Sequence, residues 1–422
     1  MTAFDPTTVS EDGRAIDAAL ESGDGVLRLA PAWVPRAFCT PGRRLRLHPD
    51  DYFPFGPGRG GIDERWLSSA VRADNGPETG PFEGLSMVVA SDGETLLPFD
   101  VVVDHLRGDL IGERLWDAHR AWPMYSKFFD NAAPLPFHVH HRDEHAALVD
   151  KPGKPEAYYY PPQMNTDLTD AAVSFLGLIP GTTREDFSER LAAFGRGGDN
   201  RITELAHGFR TRLSTGWDVP PGVLHAPAAV CTYEPQAACD VFCMCESWSN
   251  GREVDEALIW KDVPAERRGD LEFILDLIDW DANTDPHFFQ NRFMAPRPTD
   301  ASTASEESGW SERWIVYRSS SFSAKELVVE PGAQVRISDS DAYGTIIVQG
   351  RGRFGAYEAE TAGHLRYGQL SRDEYFVSES AAKAGVVIAN ESDIEPLVML
   401  KHFGPGHREQ HEAAVLSDIE LS

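Results

Sequence analysis

Hydrophobic positions along this chain come mostly in short bursts. From about residue 40 to residue 160 they form runs such as "RLRLHP", "GLSMVVASDGETLLPFDVVV" and "EAYYYPP", separated by Gly, Pro and Asp-Gly. Short apolar runs at close spacing, with turn residues between them, predict strands of a β-sandwich or barrel. Ahead of them, "DGRAIDAALESG" has the spacing of a short amphipathic helix, followed by "VLRLAPAWVPRAF". Residues 1–40 are therefore read as an N-terminal helix and strand extension.

The period changes at "TREDFSERLAAFGRGGDNRITELAHGFRTRL", where apolar residues recur at helical spacing behind a Thr or Asp cap. A small helical insertion at about 165–212 is expected inside a β domain of residues 41–262, with strands resuming at "STGWDVPPGVLHAPAAVCTYEPQ" and "CDVFCMCESW". Residues 263–309 read as a helix, "VPAERRGDLEFILDLIDW", and a polar linker, "PRPTDASTASEESG". A second β block at 310–405 has the strand, Pro-Gly turn, strand, Gly-flanked strand plan of the first, in "ELVVEPGAQVRI" and "GTIIVQGRGRF". Residues 406–422 are left as a tail. The pattern predicts a mainly β chain built from two barrels of similar design.

Size and charge narrow the choice of function. At 422 residues with 41% hydrophobic positions, two or three domains with substantial cores are expected. No 18-residue apolar run appears and the start is polar and acidic, which points to a cytoplasmic protein with no membrane partner. The net charge of −28 argues against nucleic acid, because phosphate contacts need clustered cations. Five cysteines suit a reducing compartment. Cys239, Cys243 and Cys245 share strand parity and are read as small apolar strand residues, since structural zinc sites use C-x2-4-C pairs on turns.

Candidate chemistry concentrates in "PLPFHVHHRDEHAALVDKPGKPE", which holds four of the 14 histidines and two of only seven lysines. In a strand, positions i and i+2 face the same way, so His138 and His140 can reach one ion while Phe137 and Val139 face a barrel wall. Glu156 heads another strand in "GKPEAYYY", and His225 follows the Pro-Pro-Gly turn of "DVPPGVLHAP". Three imidazoles and a carboxylate suit zinc, manganese, iron, cobalt or nickel, and the donor set does not choose among them. His141 and His145 are read as turn residues outside the site.

These motifs resemble the cupins, and among them the class I mannose-6-phosphate isomerases, in outline over residues 40 to 260. That family carries Q-x-H-P on a metal strand, K-P-E on a later one, and P-x-x-x-x-H-A near the end of the metal barrel. Here "FHVHH" stands at the first, "KPE" (Lys154, Pro155, Glu156) is intact at the second, and "PPGVLHAP" matches the third. A family active-site lysine 13 residues before the histidine ligand corresponds to Lys127, and "GIDERWLSS" resembles an early strand. The resemblance implies two cupin (jelly-roll) barrels, the second metal-free, and a divalent metal, zinc first, held by His138, His140, Glu156 and His225. It places Lys154 and Lys127 in the active site, with Asp240 near a second acidic position and Arg252 nearest a family arginine. The chain departs from the family at His138, where the family has glutamine, and at Pro136, where it has a phosphate-associated serine.

The implied reaction is aldose–ketose isomerisation of mannose 6-phosphate or a related, even unphosphorylated, sugar through an enediol. A base, Lys154 or alternatively Asp240, carries a proton between C2 and C1, and a dication beside Lys154 would depress its pKa. Lys127 would hold a sugar oxygen or anion. The protein is expected to work as a monomer or homodimer on a small sugar. A cupin metal-dependent oxygenase and a non-catalytic sugar-binding or regulatory bicupin are the alternatives. The pair Lys154 and Lys127 separates them, since oxygen activation has no obvious use for two lysines.

Overall fold

A computed structural model describes residues 8–166, 172–303 and 309–407. Parts of four expected segments lie outside the described residues: 1–7 of the N-terminal extension, 167–171 of the insertion, 304–308 of the linker and 408–422 of the tail.

The chain is mainly β, in two barrels, each a large and a small antiparallel sheet. The large sheet of the first runs Phe293–Met294, Gly216–Val219, Glu156–Tyr159, Cys231–Ala237, Met124–Asp130, Gly61–Leu67, Ala32–Arg36. Its smaller sheet runs Ala206–Arg210, Val173–Leu178, His225–Ala226, His138–Val139, Cys243–Met244. In the second barrel, a nine-stranded sheet containing Ser323–Val329, Tyr343–Gln349 and Leu397–Phe403 faces a four-stranded sheet. Leu327, Val329, Tyr343 and Met399 of the former pack on Val335, Ile337 and Ile388 of the latter.

The two large sheets pack back to back. Alternate residues of the first barrel's strands, Leu67, Phe128, Ala157, Tyr159 and Tyr233, share one core with Leu27, Ala324, Ile346, Val398 and Leu400 of the second. That leaves the opposite parity, Glu64, Lys127, Glu156 and Glu234, to face the first barrel's interior. The outer face of the small sheet, including Phe137, Val139, Leu224 and Cys243, is closed by Phe187 and Leu191 of one helix and Phe273, Ile274 and Leu277 of another. All five cysteines are free and buried, and Cys243 and Cys245 lie in this packing layer.

Three expectations need correction. "FDVVV", read with the strands, begins the helix Phe99–Leu106, followed by Gly108–Ile111 and Glu113–His119. Its buried positions Phe99, Val102, Val103 and Leu106 follow a period of 3.6 that the run of valines hides. The helical part of 165–212 narrows to Arg184–Leu191 with short 3-10 turns, while Val173–Leu178 and Ala206–Arg210 pair with each other as strands. A Thr183–Asp186 capping box fixes that helix start, and the alternating "AHGFR" after it is a strand. Val26–Ala30 pairs with Glu374–Val377, and Met87–Val89 and Leu96–Pro98 continue from it. These early segments therefore complete the second barrel's sheet. Among the described residues no helix is long and apolar enough to cross a membrane.

Candidate active site

The site begins with two neighbouring strands of the small sheet. His225 is directly opposite His138 in the antiparallel register, and their rings lie 4.1 Å apart between centroids. His140 is two residues along, with its ring 5.1 Å from that of His138 and 4.9 Å from that of His225. One ligand atom from each of the three lies within 4.8 Å of the others. Glu156 reaches them from the large sheet, with Oε2 2.8 Å from His140 Nε2 and Oε1 3.1 Å from His225 Nε2.

Backbone carbonyls orient all three imidazoles. Nδ1 of His138 lies 2.7 Å from Pro136 O, that of His140 2.7 Å from Val241 O, and that of His225 2.8 Å from Val223 O. These contacts assign the ring proton to Nδ1 and leave each Nε2 as a lone pair aimed inward. Burial, then the neighbouring His225 and His140, hold His138 well below the usual range. His140 is lowered to about 3 by burial and then Lys154, so both rings are neutral. Burial pushes the Glu156 carboxyl up, but Lys154 outweighs it and the carboxyl is held well below the usual range. The buried Nε2 of His225 has no hydrogen-bond partner although Glu156 is within 3.1 Å. Lone pairs and a carboxylate converging without a proton between them fit a cation.

A string of buried charges runs away from this centre. Lys154 Nζ is 3.2 Å from His140 Nε2, 3.0 Å from Glu156 Oε2 and 3.8 Å from Glu234 Oε1. Lys127 Nζ is 3.2 Å from both Glu234 Oε1 and Glu64 Oε1. Burial works against its charge, but Glu234 and Glu64 raise its pKa, so Lys127 is a fixed cation. Glu234 is pushed well up, first by burial and then by the charge of Glu156. Arg36 closes the string, with Nε 3.1 Å from Glu64 Oε2 and its other nitrogens 3.0 and 3.2 Å from the two oxygens of Asp240.

The sequence-derived residues therefore divide. His138, His140, His225, Glu156 and Lys154 come together, and Lys127 joins them through Glu234. Asp240 has both oxygens on Arg36, which, with Lys261 and Lys154, holds it well below the carboxylate range against burial. Arg252 is exposed and donates to Cys39 O at 2.8 Å; no hydrogen bond or ion pair links it to the histidines. His141 is buried outside the cluster, its pKa lowered to about 4 by burial. Glu64, Glu234 and Arg36 were not singled out from the sequence. Glu234 in "CTYEPQA" and Arg36 in "AWVPR" carry a signal, a single charge in a strand that is otherwise uncharged, whereas Glu64 lies between Asp63 and Arg65 in "GIDERWL" and carries none.

No family model and no curated protein matches this chain. Solved structures do. A variant of phosphomannose isomerase from Salmonella typhimurium superposes with a TM-score of 0.60 at 10% identity, covering 90% of this chain and 100% of that one. Mannose 6-phosphate isomerase from Bacillus subtilis gives 0.54 at 15% identity, covering 90% and 99%. A mannose 6-phosphate isomerase bound with zinc and yttrium gives 0.59 at 10% identity, again over 90% of this chain. This chain shares the fold of those isomerases.

Proposed function

We propose that this chain is a metal-dependent aldose–ketose isomerase of the mannose-6-phosphate isomerase type, acting on mannose 6-phosphate or a related sugar. The observation that carries the reading is a buried lysine, Lys154, within hydrogen-bond distance of both a histidine and the carboxylate of a three-His, one-Glu cluster. The likeness in fold to mannose-phosphate isomerases supports it.

A divalent ion, zinc first, held by His138, His140, His225 and Glu156 would supply Lewis-acid polarisation of the sugar oxygens. The chain's own residues supply the rest. Lys154, at the edge of the ligand set, takes the C2 proton as the free amine that a dication beside it would favour, the C–H electron pair becoming the C1–C2 double bond, and returns it to C1. The hydroxyl proton on O2 passes to O1, and Glu234, its proton held by burial, is the group that exchanges it. Lys127 donates to a sugar oxygen. Asp240 acts through Arg36, which aligns Glu64 and hence Lys127. Arg252, attached to Cys39 three residues past Arg36, is assigned to the anionic end of the substrate at the rim.

The test is incubation of metal-loaded protein with mannose 6-phosphate, mannose and lyxose in deuterated water. Ketose formation with deuterium entering at carbon is expected. Oxygen uptake in its place, or sugar binding without exchange, would end the reading.

A further inference from the structure

The segment "PGRRLRLHP" passes from one barrel to the other and lines a cavity that the proposed reaction does not use. Pro41, at its start, bridges Asn131 just past the strand that carries Lys127, and Leu47 bridges Leu365 of the second barrel. Between them lies a cavity of about 610 Å³ whose polar lining is Arg43, Arg44, Arg46, Gln163, Thr166 and His364. Three arginines thus share one concave space in a chain whose net charge is −28.

Their charges are not equally balanced. Arg44 is matched by Asp130, with Nε 2.6 Å from Oδ1, and gives its remaining donors to Ala229 O and Asn131 O. Arg46 has only neutral acceptors: Val348 O and Gln163 O at 2.9 Å, Ala362 O at 3.4 Å and the Thr361 hydroxyl. Arg43 stacks over Tyr52, its guanidinium carbon 5.9 Å from the ring centre. Among the described residues no carboxylate comes within ion-pair distance of Arg43 or Arg46. Water can offset part of a guanidinium's charge, but Arg46 is partly buried, and burial lowers its pKa.

Backbone conformation adds a second, independent sign. Arg43 and Arg46 have φ of +67° and +59°. At non-glycine residues that left-handed geometry is strained, and such strain gathers at ligand clamps. Here it turns guanidinium groups at alternate ends of "RRLR" onto one cavity.

We propose that this cavity binds a phosphate-class oxyanion, either free phosphate or the phosphoryl group of a small metabolite. The dianion offsets the charges of Arg43 and Arg46; the planar donor fork of Arg43 matches phosphate oxygens, while Arg46, its terminal nitrogens held by protein oxygens, contributes its charge. The volume exceeds what inorganic phosphate needs and suits a small metabolite, with Met164 and Ala132 as apolar wall. Since Arg46 holds Gln163 O of the first barrel's segment and Val348 O of the second barrel's strand Tyr343–Gln349, an occupant braces the joint between them.

The test titrates full-length, metal-loaded protein with inorganic phosphate and with glycerol phosphate, at ionic strength fixed with chloride, by calorimetry and thermal melting. Saturable binding is expected, weakened at least tenfold by Arg43→Gln and by Arg46→Gln. Arg43 is exposed, so its variant reports even if Arg46→Gln folds poorly. Tighter glycerol phosphate than phosphate assigns the phosphoryl source to a metabolite, and the reverse order assigns it to free phosphate. Absence of saturable binding of either probe, or unchanged affinity in Arg43→Gln, overturns the proposal.

Discussion

Glu234 stands opposite Lys127 in the antiparallel ladder, and the same Oε1 lies 3.2 Å from the Lys127 ammonium and 3.8 Å from that of Lys154. One carboxyl thus joins the lysine beside the ligand cluster to the lysine deeper in the barrel. In an apolar interior such a bridge is costly unless each charge is matched, and Glu64, Arg36 and Asp240 complete the matching.

Glu234→Gln keeps the shape of the bridge and removes its proton exchange. Under the proposed mechanism kcat falls by roughly 100-fold or more, the usual worth of a positioned acid or base. Metal content, measured by elemental analysis, stays near that of the parent, because Glu156 and the three histidines are untouched. Glu64→Gln, one step further from the centre, is expected to cost only about tenfold through misalignment of Lys127. Wild-type kcat in Glu234→Gln removes that residue from the reaction.

A second expectation concerns the ion. His225 is fully buried and its inward nitrogen has no hydrogen bond, so His225→Ala deletes a donor that nothing nearby replaces. Bound divalent metal is expected to fall at least tenfold. In the parent, zinc at about 100 times its Kd adds roughly 2.7 kcal/mol to stability, seen as a rise in melting temperature that chelator reverses. A melting temperature indifferent to zinc and chelator in the parent would show that these side chains hold no ion.

What could be read from the sequence follows from how local each signal is. His138 and His140 are legible as a pair because strand parity puts i and i+2 on one face, and Phe137 and Val139 do pack on the opposite side. Lys154 and Glu156 are likewise two apart. Glu64, Glu234 and Arg36 come from three separate strands, and only the pairings of Gly61–Leu67 and of Cys231–Ala237 with Met124–Asp130, and of Ala32–Arg36 with Gly61–Leu67, bring them to Lys127. Nothing within "FDVVVDHL" separates helix from strand by composition, because three valines favour β while the spacing of Phe99, Val102 and Leu106 favours a helix. The pairing of Val26 with Val377 joins positions at opposite ends of the chain, and no local pattern encodes it.

The last expectation is a pH dependence centred on Glu246. Its Oε2 accepts a hydrogen bond from Phe137 N at 2.8 Å, one residue before His138, so it anchors the strand that presents two of the histidines. Burial raises this carboxyl to about 7, against the lowering effect of that hydrogen bond and with a small push from Asp199. In the unfolded chain a glutamate titrates near 4.3. Between those values the folded state holds a proton that the unfolded state has lost, so stability falls as pH rises, by at most about 4 kcal/mol for this group. Glu374, also raised to about 7 by burial, contributes with the same sign. Urea midpoints at pH 5, 6, 7 and 8 should therefore decline in the parent, and Glu246→Gln, which keeps an acceptor for Phe137 N, should remove about half of the decline. An identical slope in the variant means that Glu246 is already ionised in the folded protein at pH 5, and the carboxylate then anchors the strand as a charged acceptor.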